Sequence, residues 1–261
     1  MEGVKYFLVP NVKNFSWMTV VAAMGQMFYS LSIAMGILIT FGSYMKKETS
    51  LEDSTRNVEV FDTAIAIMAG LMIIPAVFAF SGGDPDTLQA GPALMFITIP
   101  KVFENMGFGT VVGILFFLLV LFAAVTSSIA LTESAVSTFE DELGWSRRRA
   151  TVLVGVIMIA LGSLSSLGYG PLVGIKIIGM QFLDFFDFLT NSVMMPIAAM
   201  LTSLFVSRIV GMKRMEEEIM HGESTFRRKK IFIVMIKYLC PVFALIILIS
   251  SVANAFGWIA M

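Results

Sequence analysis

The sequence predicts an all-α, polytopic membrane protein, and three observations carry this prediction. Of the 261 residues, 57% are hydrophobic and 14% are charged, whereas a soluble domain is about 45–50% apolar and about 25% charged. The mean hydropathy is +0.86. Six long runs contain no Asp, Glu, Lys or Arg: 14–45, 63–83, 105–132, 150–175, 188–207 and 238–261. Each run reaches the length of about 20 residues that a helix needs to cross the bilayer hydrocarbon.

We therefore expect one membrane domain over residues 1–261, with six transmembrane helices. Their predicted bounds are about 17–45, 63–81, 108–138, 150–168, 182–208 and 231–258. The long loop 82–107 is predicted to be external, with short helices in its apolar stretch 93–102. These lengths exclude a soluble globular protein, a disordered chain, a nucleic-acid-binding protein and an outer-membrane barrel, whose strands are about 10 residues long.

The distribution of Lys and Arg predicts the orientation. One set of alternate loops contains thirteen of these residues, and the other set contains only Lys5, Lys13, Lys101 and Lys176. Cytoplasmic loops carry the excess of positive charge, so both termini are predicted to be external. An external N-terminus is unusual for a complete inner-membrane protein, and we therefore expect a further segment upstream.

Small and polar residues interrupt two of the predicted spans. In the first span they are concentrated in residues 25–36. This pattern is typical either of close helix packing or of an unwound stretch whose backbone meets a ligand. In the third span they fill residues 123–130. There the hydroxyls of Thr126 and Ser127 can donate to carbonyls one turn earlier and still offer oxygens to a hard cation; small-residue packing is the alternative.

Acidic residues near membrane depth are a third indication of function. They are Asp62, Glu133, Asp184 and Asp187. Taken singly, Asp62 could be a helix N-cap, Asp187 an interfacial cap and Glu133 a solvated acid. Their occurrence together with the two interrupted spans favours a binding site inside the membrane.

At these residues the chain resembles the second half of a bacterial neurotransmitter:sodium symporter, a family with the LeuT fold. The matching segments follow one another along essentially the whole chain: 26–36, 91–100, 122–130, 139–142 and 183–187. Residues 4–10 resemble the external loop before the sixth helix of that family. The resemblance implies that the six spans are helices six to eleven of a five-plus-five inverted repeat, and that helices one to five are absent from this chain.

The resemblance also implies roles for particular residues. Tyr29 would cover the substrate, and Ser32, Ala34, Met35 and Leu131 would line its pocket. Ser30 and Asp62 would bind the first sodium ion; Ala123, through its carbonyl, and Thr126 and Ser127 would bind the second. Asp187 would be the external gating acid and Asp141 the internal one, and their arginine partners in the family lie outside this chain.

Two positions depart from the family. Ala34 stands where the family often has glycine, and its methyl group narrows the pocket beside Met35. Asp62 stands where the family has a sodium-ligating asparagine. Its carboxylate would supply the negative charge that a chloride ion supplies in chloride-dependent members, so we expect coupling to sodium without a chloride requirement.

The expected function is sodium-coupled symport of an amino acid or related small amine across the bacterial inner membrane. A wide apolar pocket favours a hydrophobic or aromatic substrate. As a fragment lacking helices one to five, the chain is expected to be inactive alone. The alternative is a half-transporter, or a non-transporting membrane subunit, that needs a separate N-terminal half. An intramembrane enzyme is disfavoured, because the single histidine, His221, lies in a charged loop.

Overall fold

The computed structural model of the chain describes residues 2–10, 12, 15–80, 91–222 and 225–258. In these residues strand pairing is limited to one isolated bridge between Ile177 and Met180, which confirms the predicted all-α fold. The α-helices of the described residues are α1 (Glu2–Leu8), α2 (Trp17–Ser30), α3 (Ile37–Ser43), α4 (Leu51–Phe80), α5 (Ile99–Glu104), α6 (Gly109–Leu143), α7 (Arg147–Gly168), α8 (Phe182–Asp187), α9 (Met195–Phe205), α10 (Met212–Ile219), α11 (Lys229–Val234) and α12 (Cys240–Ala255).

Long apolar helices make this a multi-pass membrane protein. In the described part of the chain five helical stretches are long and apolar enough to cross a bilayer: Leu51–Ala79, Gly109–Leu143, Arg147–Gly168, Phe182–Val210 and Lys229–Ala255. The first predicted span, at 17–45, is divided between α2 and α3, so the number of six crossings stays a prediction. Large apolar side chains such as Ile39 and Leu119 are exposed, as expected for surfaces that face lipid or other membrane helices.

Helix α4 begins earlier than the sequence pattern predicted. It starts at Leu51, although the charge-free run begins at residue 63. The Ser50 hydroxyl accepts a hydrogen bond from the backbone N–H of Asp53 at 3.0 Å, and such a cap satisfies an N–H that the helix cannot pair internally. Two acidic residues in the first turn, Glu52 and Asp53, also suit the positive end of the helix dipole.

The chain divides into two compact units. The first contains residues 1–15 and 57–128, and the second contains residues 16–56 and 129–261. In the first unit, α1 approaches α4 closely, because a Cβ atom on Gly3 would lie 2.7 Å from the Cα of Pro75. The Tyr6 and Phe78 rings pack at 4.7 Å.

The loop between α4 and α6 contains helical structure, as predicted. A π-helical turn, Leu94–Thr98, leads into α5. Both lie in the first unit and pack on the N-terminal part of α6 through pairs of aromatic rings. The ring centroids of Phe96 and Phe117 are 6.1 Å apart, and those of Phe103 and Phe116 are 5.5 Å apart. Residues 81–90 of this loop lie outside the described residues.

Three prolines account for three π-helical turns. A proline lacks an N–H donor, and its ring clashes with the carbonyl four residues earlier; a local widening of the helix is one way to accommodate this. Pro100, Pro196 and Pro241 each follow such a turn by two residues. The turns are Leu94–Thr98, Phe188–Met194 and Met235–Leu239.

The second unit is built around α9 and α12, which pack along each other. The Ser203 hydroxyl of α9 donates to the backbone carbonyl of Ile236, which lies in the π-helical turn before Pro241. Ser203 is only 4% exposed. Helix α2 also contacts α12. A smaller apolar core joins α6 to α7 through Val136, Ala150 and Val154.

Candidate functional site

The break between α2 and α3 is the central feature of the candidate site, and we call residues 31–36 the break segment. Helix α2 ends in a Schellman motif: Ser32 N–H donates to the Tyr29 carbonyl and Ile33 N–H donates to the Phe28 carbonyl, each at 3.0 Å. The motif requires a left-handed residue after the last helical position, and Ser32 supplies it with a φ of 54°. The predicted unwound stretch is therefore observed, at its C-terminal half.

Two further residues of the break segment have left-handed backbone. Ala34 has a φ of 64° and Gly36 a φ of 81°. A left-handed conformation costs a non-glycine residue about 1–2 kcal/mol, so Ser32 and Ala34 carry strain that Gly36 avoids. Strained backbone of this kind tends to cluster at ligand clamps and switch regions.

A cavity of about 410 Å³ lies beside α2, and it brings Tyr29 and Asp187 together. Asn191 donates from its side-chain amide to the Asp187 carboxylate at 2.5 Å. Gln26, Ser192 and Ser251 add further polar groups to the wall. Two residues singled out separately in the sequence, the predicted lid and the predicted external gate, therefore share one cavity. Asp187 is not a cap, because the helix continues on both sides of it.

A second cavity, of about 220 Å³, touches the break segment. Ser32, Ala34 and Gly36 line it together with Ser203 and Cys240. Its surface is almost entirely apolar. The other two predicted pocket residues, Met35 and Leu131, line neither of these cavities in the described residues.

The predicted second sodium set lies on an exposed stretch of α6. The Thr126 hydroxyl donates, as predicted, to the backbone carbonyls one turn earlier. Its oxygen lies 3.0 Å from the carbonyl oxygens of both Phe122 and Ala123. Ala123, Thr126 and Ser127 are all exposed. The hydroxyl oxygen of Thr126 thus keeps its lone pairs for an acceptor role.

The two residues of the predicted first sodium set belong to different compact units. Ser30 ends α2 in the second unit, and Asp62 lies within α4 in the first. Their pairing stays a prediction. The alternative that Asp62 caps a helix is wrong, because α4 begins at Leu51.

A polar network beside α3 was not predicted from the sequence. The Tyr44 hydroxyl donates to the Glu133 carboxylate at 2.7 Å, and Arg147 forms an ion pair with the same carboxylate. Glu133 is therefore not merely a solvated acid; its side chain is 18% exposed. One feature of the sequence could have indicated the ion pair: Glu133 in α6 is followed, after a short turn, by Arg147 at the start of α7. Asp141, the predicted internal gate, lies exposed near the end of α6.

Comparison with known proteins assigns the chain to a family. Residues 1–257 match the sodium:neurotransmitter symporter family. The chain belongs to this family. The resemblance stated from the sequence motifs is confirmed, and the family is one of transporters and not of enzymes.

Two curated relatives illustrate the similarity. The uncharacterized sodium-dependent transporter YhdH of Bacillus subtilis is 33% identical over 224 residues, which cover 86% of this chain and 49% of the relative. An uncharacterized sodium-dependent transporter of Haemophilus influenzae is 32% identical over 252 residues, which cover 96% of this chain and 54% of the relative. The chain thus spans about half the length of the curated relatives it matches.

A solved structure of a transporter shows the same fold. The crystal structure of MhsT in complex with L-phenylalanine matches 96% of this chain and 56% of its own chain, with a TM-score of 0.82 and 35% sequence identity. MhsT has the LeuT fold, and the match confirms that fold for this sodium:neurotransmitter symporter family member.

Proposed function

We propose that the chain forms part of a sodium-coupled amino-acid symporter, in which the break segment provides backbone groups to the substrate and to sodium. The observation that carries the proposal is the break itself, with left-handed residues at Ser32, Ala34 and Gly36. Backbone groups without partners are costly in hydrocarbon, so a break persists only where protein or a cavity satisfies them. Ligand sites in transporters of this kind are formed by such discontinuous helices.

We propose a hydrophobic or aromatic amino acid as the substrate. The cavity beside Tyr29 measures about 410 Å³, and pockets for small molecules begin at about 300 Å³. MhsT, whose structure matches this chain, was solved with L-phenylalanine. In the proposed site Tyr29 would cover the ligand, while Ser32, Ala34, Met35 and Leu131 would surround its side chain.

Sodium would be the co-transported ion, held by oxygen atoms at two positions. Ser30 and Asp62 would contribute to the first, and Ala123, Thr126 and Ser127 to the second. The support for the second is local: the Thr126 hydroxyl already points at the Ala123 carbonyl, 3.0 Å away, and hydroxyls and carbonyls are the ligands that hard cations prefer. The carboxylate of Asp62 would replace chloride in balancing the sodium charge.

Transport would also need the part of the symporter that this chain does not match. The chain covers 49%, 54% and 56% of three matched proteins, and an inverted-repeat transporter forms its site at the interface between two repeats. The uncovered part would supply the first repeat and the partners of Asp187 and Asp141. We place the assembled single domain of this chain in the bacterial inner membrane, with six crossings and both termini external.

Equilibrium binding tests this function. The chain is co-expressed with the part of the Bacillus subtilis relative that it does not match, purified, and titrated with labelled L-phenylalanine in sodium chloride or choline chloride. We expect binding in sodium only, and competition by other apolar amino acids but not by acidic ones. The chain expressed alone is the control and should not bind. Sodium-independent binding, or equal binding by the chain alone, would contradict the proposal.

A further inference from the structure

The two arms of the broken helix pack on different helices within the second unit. Helix α2 contacts α12 and faces the cavity that contains Asp187. Helix α3 instead meets the second half of α6 through hydroxyl groups. The break segment therefore joins two helical arms whose packing neighbours differ.

The contact between α3 and α6 is a cluster of three hydroxyls, Thr40, Ser134 and the partly buried Ser137, which we call the hydroxyl cluster. The Thr40 hydroxyl oxygen lies 3.4 Å from the hydroxyl oxygens of both Ser134 and Ser137. Thr40 is 8% exposed and Ser134 is 7% exposed. Each hydrogen bond is long, and hence weak. The groups are nevertheless shielded from water, so losing a partner leaves a buried polar atom unsatisfied.

Gly36 joins the hydroxyl cluster to the break segment. A Cβ atom built on Gly36 would lie 2.5 Å from the Ser134 hydroxyl oxygen and 3.9 Å from the Ser134 Cβ. The backbone of the break segment therefore rests directly on Ser134, in a left-handed conformation that glycine adopts without cost. Gly36 also accepts the first hydrogen bond of α3, from Thr40 N–H at 2.9 Å. The last residue of the break segment is thus contacted by the Ser134 side chain and by the backbone N–H of Thr40.

We propose that Thr40 and Ser134 are positioning residues for the ligand segment: they hold α3 on α6 and so fix the geometry of residues 31–36. Neither side chain needs to touch the ligand, because Ser134 lies against Gly36 and the Thr40 hydroxyl contacts Ser134. The inference rests on the proposed function for its meaning in transport, but the contact itself is measurable without transport.

Cys240, the single cysteine of the chain, is a built-in reporter. It lines the 220 Å³ cavity together with Ser32, Ala34 and Gly36, so loosening of the break segment should admit a thiol reagent. The full chain in phosphatidylcholine vesicles is treated with N-ethylmaleimide, and the labelling rate is followed by mass spectrometry. Thr40→Val keeps the shape and removes the hydroxyl. We expect it to speed labelling by about 2- to 10-fold, because the two long contacts of the Thr40 hydroxyl together should be worth about as much as one ordinary hydrogen bond.

Matched variants separate positioning from general damage. Thr40→Ser keeps the hydroxyl and should label at the rate of the unaltered chain, and Ser134→Ala, which removes the other half of the contact, should behave like Thr40→Val. Ser165→Ala is the control, because that hydroxyl donates to a carbonyl of its own helix and should change nothing. The inference is overturned if Thr40→Val and Ser134→Ala label no faster than Thr40→Ser and Ser165→Ala. Since labelling requires neither sodium nor substrate, failure of sodium-dependent binding would count against the proposed function alone.

Discussion

Three residues of the break segment adopt left-handed backbone, and only one of them is a glycine. Ser32 is forced into this conformation by the Schellman motif that ends α2, and Ala34 follows two residues later. Gly36 is different, because its lack of a side chain also lets Ser134 approach. The three residues therefore differ in what they require. Ser32 and Ala34 tolerate the strain of a left-handed backbone, whereas Gly36 has no room for a side chain beside Ser134.

Replacement of Gly36 by alanine tests this distinction. The new Cβ would meet the Ser134 hydroxyl oxygen at 2.5 Å with φ at 81°, and the left-handed backbone alone costs alanine about 1–2 kcal/mol. We expect Gly36→Ala to lower the free energy of unfolding by at least that amount in detergent titrations. Gly155→Ala is the matched control, since nothing lies within 4 Å of a Cβ there. Equal stability of the two variants would argue against the steric fit.

Substitution of Asp62 tests the chloride hypothesis. Two unit charges about 4 Å apart interact by about 4 kcal/mol at an effective dielectric constant of 20. If Asp62 lies at the proposed sodium site, removing its carboxylate should weaken sodium binding unless another anion replaces it. The test uses the chain co-expressed with the unmatched part of the Bacillus subtilis relative. There we expect Asp62→Asn to bind L-phenylalanine at least tenfold more weakly in sodium gluconate than in sodium chloride. The unaltered protein should bind equally in both. Binding by Asp62→Asn that ignores chloride would refute the hypothesis.

At the scale of helices, a proline removes one backbone hydrogen bond from the helix. A side chain of a neighbouring helix can donate to the carbonyl that is left without its partner. Pro241 follows the π-helical turn Met235–Leu239 in the stretch that leads into α12. The Ile236 carbonyl in that turn accepts a hydrogen bond from Ser203 of α9. Within hydrocarbon such a bond ties two helices where the internal ladder is incomplete.

We expect Ser203→Ala to lower the free energy of unfolding by about 1–2 kcal/mol, the cost of losing one buried hydroxyl hydrogen bond and leaving its partner unsatisfied. Ser207→Ala on the same helical stretch is the control. Its hydroxyl donates to the Leu204 carbonyl one turn earlier, so that variant should be nearly neutral. Thermal unfolding of both purified variants measures the difference, and a neutral Ser203→Ala would show that the contact between the helices does not stabilise the fold.

The polar network at the end of α3 makes a second prediction at this scale. Tyr44 and Arg147 share the Glu133 carboxylate, so they tie the chain after α3 and the start of α7 to α6. Because both bonds end on one residue, Tyr44→Phe and Glu133→Ala should be non-additive: the double variant should unfold at nearly the midpoint of Glu133→Ala alone. Glu140→Gln, combined with Tyr44→Phe, should instead show additive shifts, since Glu140 contacts Arg147 and not Tyr44.

At the scale of the whole molecule, the sequence predicts the membrane helices well because the hydrocarbon tolerates few charges. It also locates the broken helix, since small and polar residues are poor choices for a lipid-facing surface. Helix ends are less predictable: α4 extends through charged residues to Leu51, because helices continue into water where caps support them. The contact between Tyr44 and Glu133 escaped prediction because these residues lie 89 positions apart in the chain, and spacing along one helix cannot reveal such a contact.

The central claim is that this chain supplies half of a site through which sodium drives amino-acid uptake. Its most direct test is accumulation of labelled L-phenylalanine in vesicles that contain the chain together with the part of the Bacillus subtilis relative that it does not match. A tenfold sodium gradient stores about 1.4 kcal/mol per ion, so one coupled ion would sustain up to about tenfold accumulation. We predict that inward sodium produces this accumulation and that a sodium ionophore abolishes it. Equal L-phenylalanine inside and outside, with the gradient intact, would contradict the claim.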